Sequence, residues 1–205
     1  MFGRRGKAAS ARKRARRTRD LIAEGASDLE RWGDAASFHA DWDERARRAA
    51  AFVPDGSKVL DLGCGVMALQ RFLAPGCTYW PADLVPRTPN TVVVDLNAGE
   101  FPPGDFDWIV ALGVLEYIHD PAGLLRRAAV QAQHLAVSYC CDTSGDAGYR
   151  RGQGWVNDHP AESIRGLLEA SGARALREIV FERAHHHTQL LWLCRSERYG
   201  RSASS

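Results

Sequence analysis

The sequence predicts an α/β fold: a Rossmann-like, seven-stranded, mostly parallel sheet with helices on both faces and an antiparallel hairpin at one edge. Three observations predict it. Short apolar runs bounded by Gly, Pro and Asp alternate with stretches of helical spacing, the pattern of parallel strands joined by crossovers. Three of the first four runs end in an acid or a glycine pair, where open α/β sheets bind their ligands. The last two runs are separated only by Glu182–His187, too few residues for a crossover helix and enough for a hairpin.

Each element follows from local chemistry. Residues 1–20 carry nine Lys/Arg and one acid, Asp20, so 1–19 is read as a basic, solvated and disordered arm with no apolar face. From Asp20 to 56 the pattern is helical: Phe38, Trp42, Ala46, Ala49 and Val53 recur at spacings of three and four among charged residues. PDGS at 54–57 is a turn, and the period then changes. Lys58–Leu62 is a short strand running into Gly63-Cys64-Gly65, after which Leu69, Phe72 and Leu73 resume helical spacing. Thr78–Ala82 is a second strand ending at Asp83, and Thr91–Val94 a third ending at Asp95. Phe106–Leu112 is the fourth, followed by a helix from Pro121 to about Gln133 and a fifth strand at His134–Tyr139. A helix over Pro160–Ser171 stops at Gly172, as helices commonly do. Strands Ala175–Phe181 and Thr188–Cys194 form the hairpin, which places the folded domain at 57–196 and a disordered tail at 197–205.

Composition excludes several function classes. No apolar run reaches the roughly 18 to 20 residues of a membrane span, and no secretory signal opens the chain. Five cysteines in irregular spacing give neither a disulfide framework nor a zinc site. The chain is read as cytoplasmic. Outside residues 1–20 there are 18 bases against 24 acids, so the folded part is mildly acidic. That balance does not favour nucleic acid as a partner, except through the basic arm.

The chemistry concentrates at the strand ends. Gly63 and Gly65 allow backbone to approach a ligand and aim the N-terminus of the next helix at it, which favours an anionic group. Asp83, 18 residues past Gly65, stands where an acid grips vicinal ribose hydroxyls. Asp95 can reach a base edge. Plainer readings stay open: a tight turn for the glycines, a cap for Asp83, a simple turn for Asp95-Leu96-Asn97. Cys64 reads as small core packing. Gly63-x-Gly65-x-x-Ala68 also satisfies the dinucleotide fingerprint. Against that reading stand Asp61, two residues before the first glycine, and the absence of a second domain for an oxidisable substrate.

VLDLGCG (59–65) resembles the first motif of class I S-adenosylmethionine-dependent methyltransferases, and FDWIVALGVLEYIHDP (106–121) is similar to their fourth strand and the segment after it. Asp83 and Asp95-Leu96 match the acids after their second and third strands, and SIRGLLEASGARALREIVF (163–181) resembles their last helix and sixth strand. The resemblance covers residues 38–195. It implies S-adenosyl-L-methionine as cofactor, a seven-stranded sheet with the last strand antiparallel, and methyl transfer as the activity. Among the site residues, Gly63 and Gly65 would face the methionine part and Asp83 the ribose, with Asp61 and Leu84 also expected to bind the cofactor. Asp95 and Leu96 would face the adenine, and the Leu112-Gly113 carbonyl region the amino group. The family's usual third glycine is Met67 here, which is expected to tighten the loop or shift the ligand. Some ubiquinone-pathway members carry acids and a histidine suited to metal where this chain has Gly113, Glu116 and Tyr117, so no metal is expected.

On the acceptor side, the segment from Cys140 to Pro160 reads as a long loop, and long loops in compact domains are functional or disordered. Tyr149, Arg151, Trp155 and Asn157 combine aromatic surface with directional hydrogen bonding, which suits a small polar acceptor such as a glycan, a glycan precursor or another metabolite. His159 is the candidate general base. His119 is read as a surface turn residue, and His185-His186-His187 as a solvated hairpin link, since adjacent strand residues point to opposite faces. Two other functions fit the sequence: an RNA or protein methyltransferase docking through the basic arm, and a cofactor-binding protein without transferase activity.

Overall fold

The computed structural model describes residues 2–38 and 43–200. The elements are α1 (Phe2–Glu24), α2 (Leu29–Gly33), α3 (Asp43–Ala50), β1 (Lys58–Leu62), β2 (Thr78–Asp83), β3 (Val92–Val93), β4 (Phe106–Leu112), α4 (Pro121–Gln131), β5 (Ala132–Asp142), α5 (Ala147–Gln153), α6 (Ala161–Ser171), β6 (Ala173–Arg183) and β7 (His187–Ser196). They build one seven-stranded sheet in the order β3-β2-β1-β4-β5-β7-β6. The first five strands are parallel, and β7 runs antiparallel to β5 on one side and β6 on the other. Strand order reverses between β1 and β4, so a crevice opens beyond their carboxyl ends.

Period-two alternation divides the core. Leu60, Leu62, Ile109, Leu135 and Trp192 pack on the face covered by α4 and α6, through Leu125, Ile164 and Leu168. Their strand neighbours Val59, Val110, Ala136 and Leu191 pack on the other face with Ala49, Ala50 and Val53 around α3. Both faces being buried explains why β1, β4 and β5 are mostly apolar rather than alternating, with Asp61 of β1 at the ligand edge.

Several sequence expectations need correction. Residues 2–24 are one helix, where 1–19 was expected to be a disordered arm. Its buried stripe is made of small residues, Ala15 and Thr18 with Leu21, which hardly register as an apolar period. The stripe lies on α5, where the Thr18 hydroxyl donates to Arg151 O at 3.1 Å and Arg14 Nη1 to Gly152 O at 3.3 Å. The crossover after β1 is only a 3-10 turn at Leu69–Phe72. Within 20–56, α3 covers Asp43–Ala50, and the expected helical position Trp42 lies outside the described residues. β3 shrinks to two residues, whereas β5 begins at Ala132, where the fourth helix was expected to continue, and runs on to Asp142. The segment 140–160, expected as a loop, contains α5, capped by the Asp146 side chain and closed at Gly154 in the left-handed region. In the expected tail, Glu197 N–H donates to Gly172 O and Gly200 N–H to Val130 O, while 201–205 lie outside the described residues. Among the described residues, no helix is long and apolar enough to cross a membrane.

Candidate active site

The crevice between β1 and β4 is a cleft of about 210 Å³. Its floor is the loop after β1. Gly63 and Gly65 have φ of +66° and +52°, and the space above them is closed to side chains. A Cβ at Gly63 would stand 2.6 Å from Val114 Cγ2, and one at Gly65 2.9 Å from Phe38 Cε1. Only glycine satisfies both demands at once. Met67 also takes φ +55° and is the one described non-glycine to do so, at a cost of about 1 to 2 kcal/mol. The loop therefore keeps a glycine-like bend where the third glycine is missing.

Each strand end delivers its acid. Asp83 Oδ2 accepts from Gly65 N–H at 2.8 Å, so the end of β2 fixes the loop after β1. Its Oδ1 accepts from Arg87 Nη2 at 3.0 Å, and the Arg87 guanidinium lies 4.6 Å over the Phe38 ring. Asp61 is buried at the end of β1 and accepts from Tyr79 Oη at 2.6 Å. Its carboxyl is pushed up to about 7, chiefly by burial and further by the Asp83 charge, against the pull of Tyr79 and Arg45. Asp95 caps the 3-10 turn Leu96–Ala98, and its Oδ1 also accepts from the Ser27 hydroxyl at 2.7 Å. Asn97 Nδ2 donates to Ser27 Oγ and to Tyr117 O, both at 2.9 Å. The link between α1 and α2 is thereby laid across the end of β3.

The far wall joins the expected Gly113 to Arg45 and Glu116, for which the sequence predicts no role. Gly113 follows β4 at φ +70°, and its amide donates to Ser138 Oγ at 2.9 Å. A Cβ there would lie 2.8 Å from Arg45 Nη1, so the Arg45 guanidinium, projecting from α3, sits directly on this glycine. Glu116 is buried in the turn after β4 and lines the cleft. Its Oε1 accepts from Cys140 N–H at 2.8 Å. Burial pushes its carboxyl up, while Arg45, backbone hydrogen bonds and Arg150 oppose that rise. Tyr117, Trp32 and Leu21 complete this side.

All nine residues expected to hold the cofactor line this one cleft: Asp61, Gly63, Gly65, Asp83, Leu84, Asp95, Leu96, Leu112 and Gly113. Of the five expected on the acceptor side, only Trp155 lines it. The other four are spent on the segment's own architecture. Asn157 Nδ2 donates to Leu115 O and Ile118 O at 2.7 and 2.9 Å. Arg151 binds Trp155 O and Asp158. Tyr149 stacks on His186 with centroids 4.2 Å apart. His159, the expected base, bonds Ser163 Oγ through Nδ1 at 2.9 Å and donates its amide to Tyr139 Oη, beside the start of α6. Burial and the Arg150 charge lower its pKa. Composition gave these residues the look of ligands, but their partners are backbone carbonyls, rings, hydroxyls and a carboxylate of the protein itself. His119 likewise ties down the α1–α2 link, its ring bonding Ala26 O at 3.1 Å. Among the described residues, no three His, Cys, Asp or Glu side chains are grouped as a metal ion would require.

The residues missed by sequence reasoning left faint signals. Glu116 is a lone acid inside the apolar segment VLEYI, and Arg45 stands four residues before buried Ala49 on the inner face of α3. A charged residue in an apolar stripe is either paired or functional.

The methyltransferase-domain family matches residues 35–178. A search of curated proteins found no match. Among solved structures, magnesium protoporphyrin IX methyltransferase from Synechocystis PCC 6803, with bound S-adenosylhomocysteine, is 19% identical with a TM-score of 0.60. That alignment covers 75% of this chain and 83% of the other. The N-methyltransferase NodS from Bradyrhizobium japonicum WM9 is 18% identical, with a TM-score of 0.59 and coverage of 77% and 86%. Mitomycin 7-O-methyltransferase is 16% identical, with a TM-score of 0.64 and coverage of 93% and 68%.

Proposed function

The chain belongs to the methyltransferase-domain family and is an S-adenosylmethionine-dependent methyltransferase; from that premise we propose that it methylates a small polar metabolite, such as a glycan or glycan precursor, held at the Trp155 end of the cleft. The observation that carries this reading is enclosure. Leu21 of α1 and Trp155 both line the cleft, so the methyl-transfer end lies among side chains from separate segments and suits an acceptor small enough to enter between them. Bound there, S-adenosylmethionine supplies an activated methyl group on a sulfonium.

The residues fit that ligand. Gly63 and Gly65 line the cleft with bare backbone, because a Cβ on either would collide with Val114 or Phe38. In our assignment Asp83 takes the ribose hydroxyls, Leu84 and Leu96 flank the adenine beside Asp95, and Asp61 with the Leu112–Gly113 carbonyls takes the ammonium. Alignment and exclusion of water are the protein's main tasks in such a displacement. The roof of α1 and the α5 segment provide the exclusion.

One observation favours a second reading. Arg12, Lys13, Arg16 and Arg19 are exposed on α1, within one helix of Leu21 at the cleft, which suits an RNA or acidic protein acceptor. The two readings separate in one experiment. Purified protein with methyl-labelled S-adenosylmethionine and a host extract should place label in the low-molecular-weight filtrate. Label confined to RNA or protein, with salt-sensitive binding, would overturn the small-metabolite reading.

A further inference from the structure

We propose that Glu116 is the proton acceptor of the reaction, so that the acceptor atom is a hydroxyl or amine that loses a proton as it is methylated. This rests on the methyl-transfer reading and specifies the acceptor's chemistry. The carboxyl's position is the first ground. Glu116 follows β4 by four residues, in the 3-10 turn Leu115–Tyr117, and lines the cleft beside Gly113 and Trp155. Its backbone is fixed, because its carbonyl accepts from Val156 N–H at 2.8 Å. Its carboxyl is fixed too, because Oε1 accepts from Cys140 N–H at 2.8 Å. The second oxygen, Oε2, is buried and takes no hydrogen bond of normal length among the described residues, with the Cys140 thiol and the Glu116 amide close to the carboxyl.

Leaving a buried carboxyl oxygen unbonded is costly, and a merely structural strut between β5 and this turn needs only one of the two oxygens. A proton coming from a bound acceptor supplies the missing partner. No other candidate is placed as well. His159 is turned to Ser163, and the Asp61 carboxyl already takes the Tyr79 hydroxyl. The charged and titratable groups facing Glu116 are Arg45 from α3, Arg150 from α5, Cys140 from β5 and Tyr117 beside it. Both arginines favour the carboxylate, while burial opposes it and pushes the carboxyl above its ordinary range.

The step balances. The acceptor's lone pair forms the bond to the methyl carbon as the carbon–sulfur bond breaks and returns its electrons to sulfur. The sulfonium becomes a neutral thioether, and the acceptor's proton passes to Oε2, giving a neutral glutamic acid.

Glu116→Gln tests this, since the amide oxygen can still accept from Cys140 N–H. Two readouts are needed. In the S-adenosylhomocysteine complex, affinity should match the parent within about twofold. The parent's Glu116 carboxyl, seen by carbon-13 NMR and assigned from the variant's missing signal, should titrate above the ordinary carboxylate range. A carboxyl that titrates in the ordinary range overturns the proposal, whatever the acceptor is. The second readout is single-turnover methylation of phenol and ethanolamine, with iodide as a nucleophile that has no proton to lose. The variant should lose about 10²-fold or more on the proton-bearing probes and stay within about twofold on iodide. The parent's rate on phenol should rise with pH through the Glu116 transition, and the variant should lack that limb. Equal losses on iodide, or none on phenol, overturn the base assignment. Label found on RNA or protein would instead sink the small-metabolite reading and leave this carboxyl requirement standing.

Discussion

At the scale of single residues, two acids facing the same ligand behave differently. Asp61 holds its proton up to about 7, so the folded chain binds that proton more tightly than the unfolded chain does. Its contribution to stability is therefore complete below the ordinary carboxylate range and is lost as pH rises towards 7. A ligand ammonium beside it reverses the preference and drives the proton off. Calorimetry of S-adenosylhomocysteine binding near pH 6, in buffers of different ionisation enthalpy, should show release of up to about one proton per ligand. Asp61→Asn should abolish that release, and buffer-independent heats in the parent would place the ammonium elsewhere. Asp83 is held from both sides by Gly65 N–H and Arg87. Asp83→Ala should weaken S-adenosylhomocysteine binding by roughly 1.5 to 3 kcal/mol, the value of hydrogen bonds to a charged group. Because the largely covered Arg87 side chain loses its carboxylate partner, the melting temperature should fall as well. An unchanged affinity with only the stability loss would make Asp83 a structural residue and no ribose ligand.

At the scale of elements, α1 joins the site through a seam of small side chains. Ala15 and Thr18 are buried where α1 lies on α5, and Leu21 reaches the cleft one turn further on. Ala15→Arg should force a long cation into that seam and cost about 1 to 3 kcal/mol by overpacking. Limited proteolysis should then cut within α1 at a protease dose that spares the parent, and S-adenosylhomocysteine affinity should fall several-fold. Unchanged cleavage and affinity would show that the seam does not hold α1 in solution. The same helix shows why some elements could not be read in advance. Lys58–Leu62 and Phe106–Leu112 coincide with β1 and β4 because both faces of those strands are buried and their residues are mostly apolar. α1 hides because a stripe of alanine and threonine among arginines carries no apolar period. For α5 the capping residues Asp146 and Gly154 were present, but a seven-residue helix is too short for periodicity to support them. The cofactor side of the cleft was readable since strand ends pin acids and glycines to one edge. The acceptor side was not, because side-chain direction in a loop depends on partners. Asn157 and His159 turned to nearby backbone and hydroxyl groups, while Arg45 and Glu116 turned inward.

At the scale of the whole molecule, the cleft is assembled from segments far apart in the chain. The α1–α2 link, the loops after β1, β2 and β3, the turn after β4 and the segment after α5 all meet there. Ser27 on Asp95, Asn97 on Tyr117 O and Val156 on Glu116 O tie these segments together without covalent links. A ligand filling the cleft binds the assembled state and not the unfolded chain, so it must raise global stability by RT ln(1 + [L]/Kd). At 100 times Kd that is about 2.7 kcal/mol. For a domain of this size each kcal/mol moves the midpoint by about 2 to 4 °C, so the melting temperature should rise by about 5 to 10 °C with S-adenosylhomocysteine. NAD at the same concentration should give no shift. Although Gly63-x-Gly65-x-x-Ala68 satisfies the dinucleotide spacing, the Asp83 carboxylate already accepts from Gly65 N–H at this floor, where a pyrophosphate would have to compete with it. A chain lacking residues 1–24 should show a smaller shift with S-adenosylhomocysteine, because Leu21 and the α1 roof no longer cover the ligand. Differential scanning calorimetry on the two chains with the two ligands decides the matter. A larger shift with NAD than with S-adenosylhomocysteine would mean that the reversal point between β1 and β4 is built for a dinucleotide. An equal shift in the shortened chain would mean that the roof takes no part in holding the cofactor.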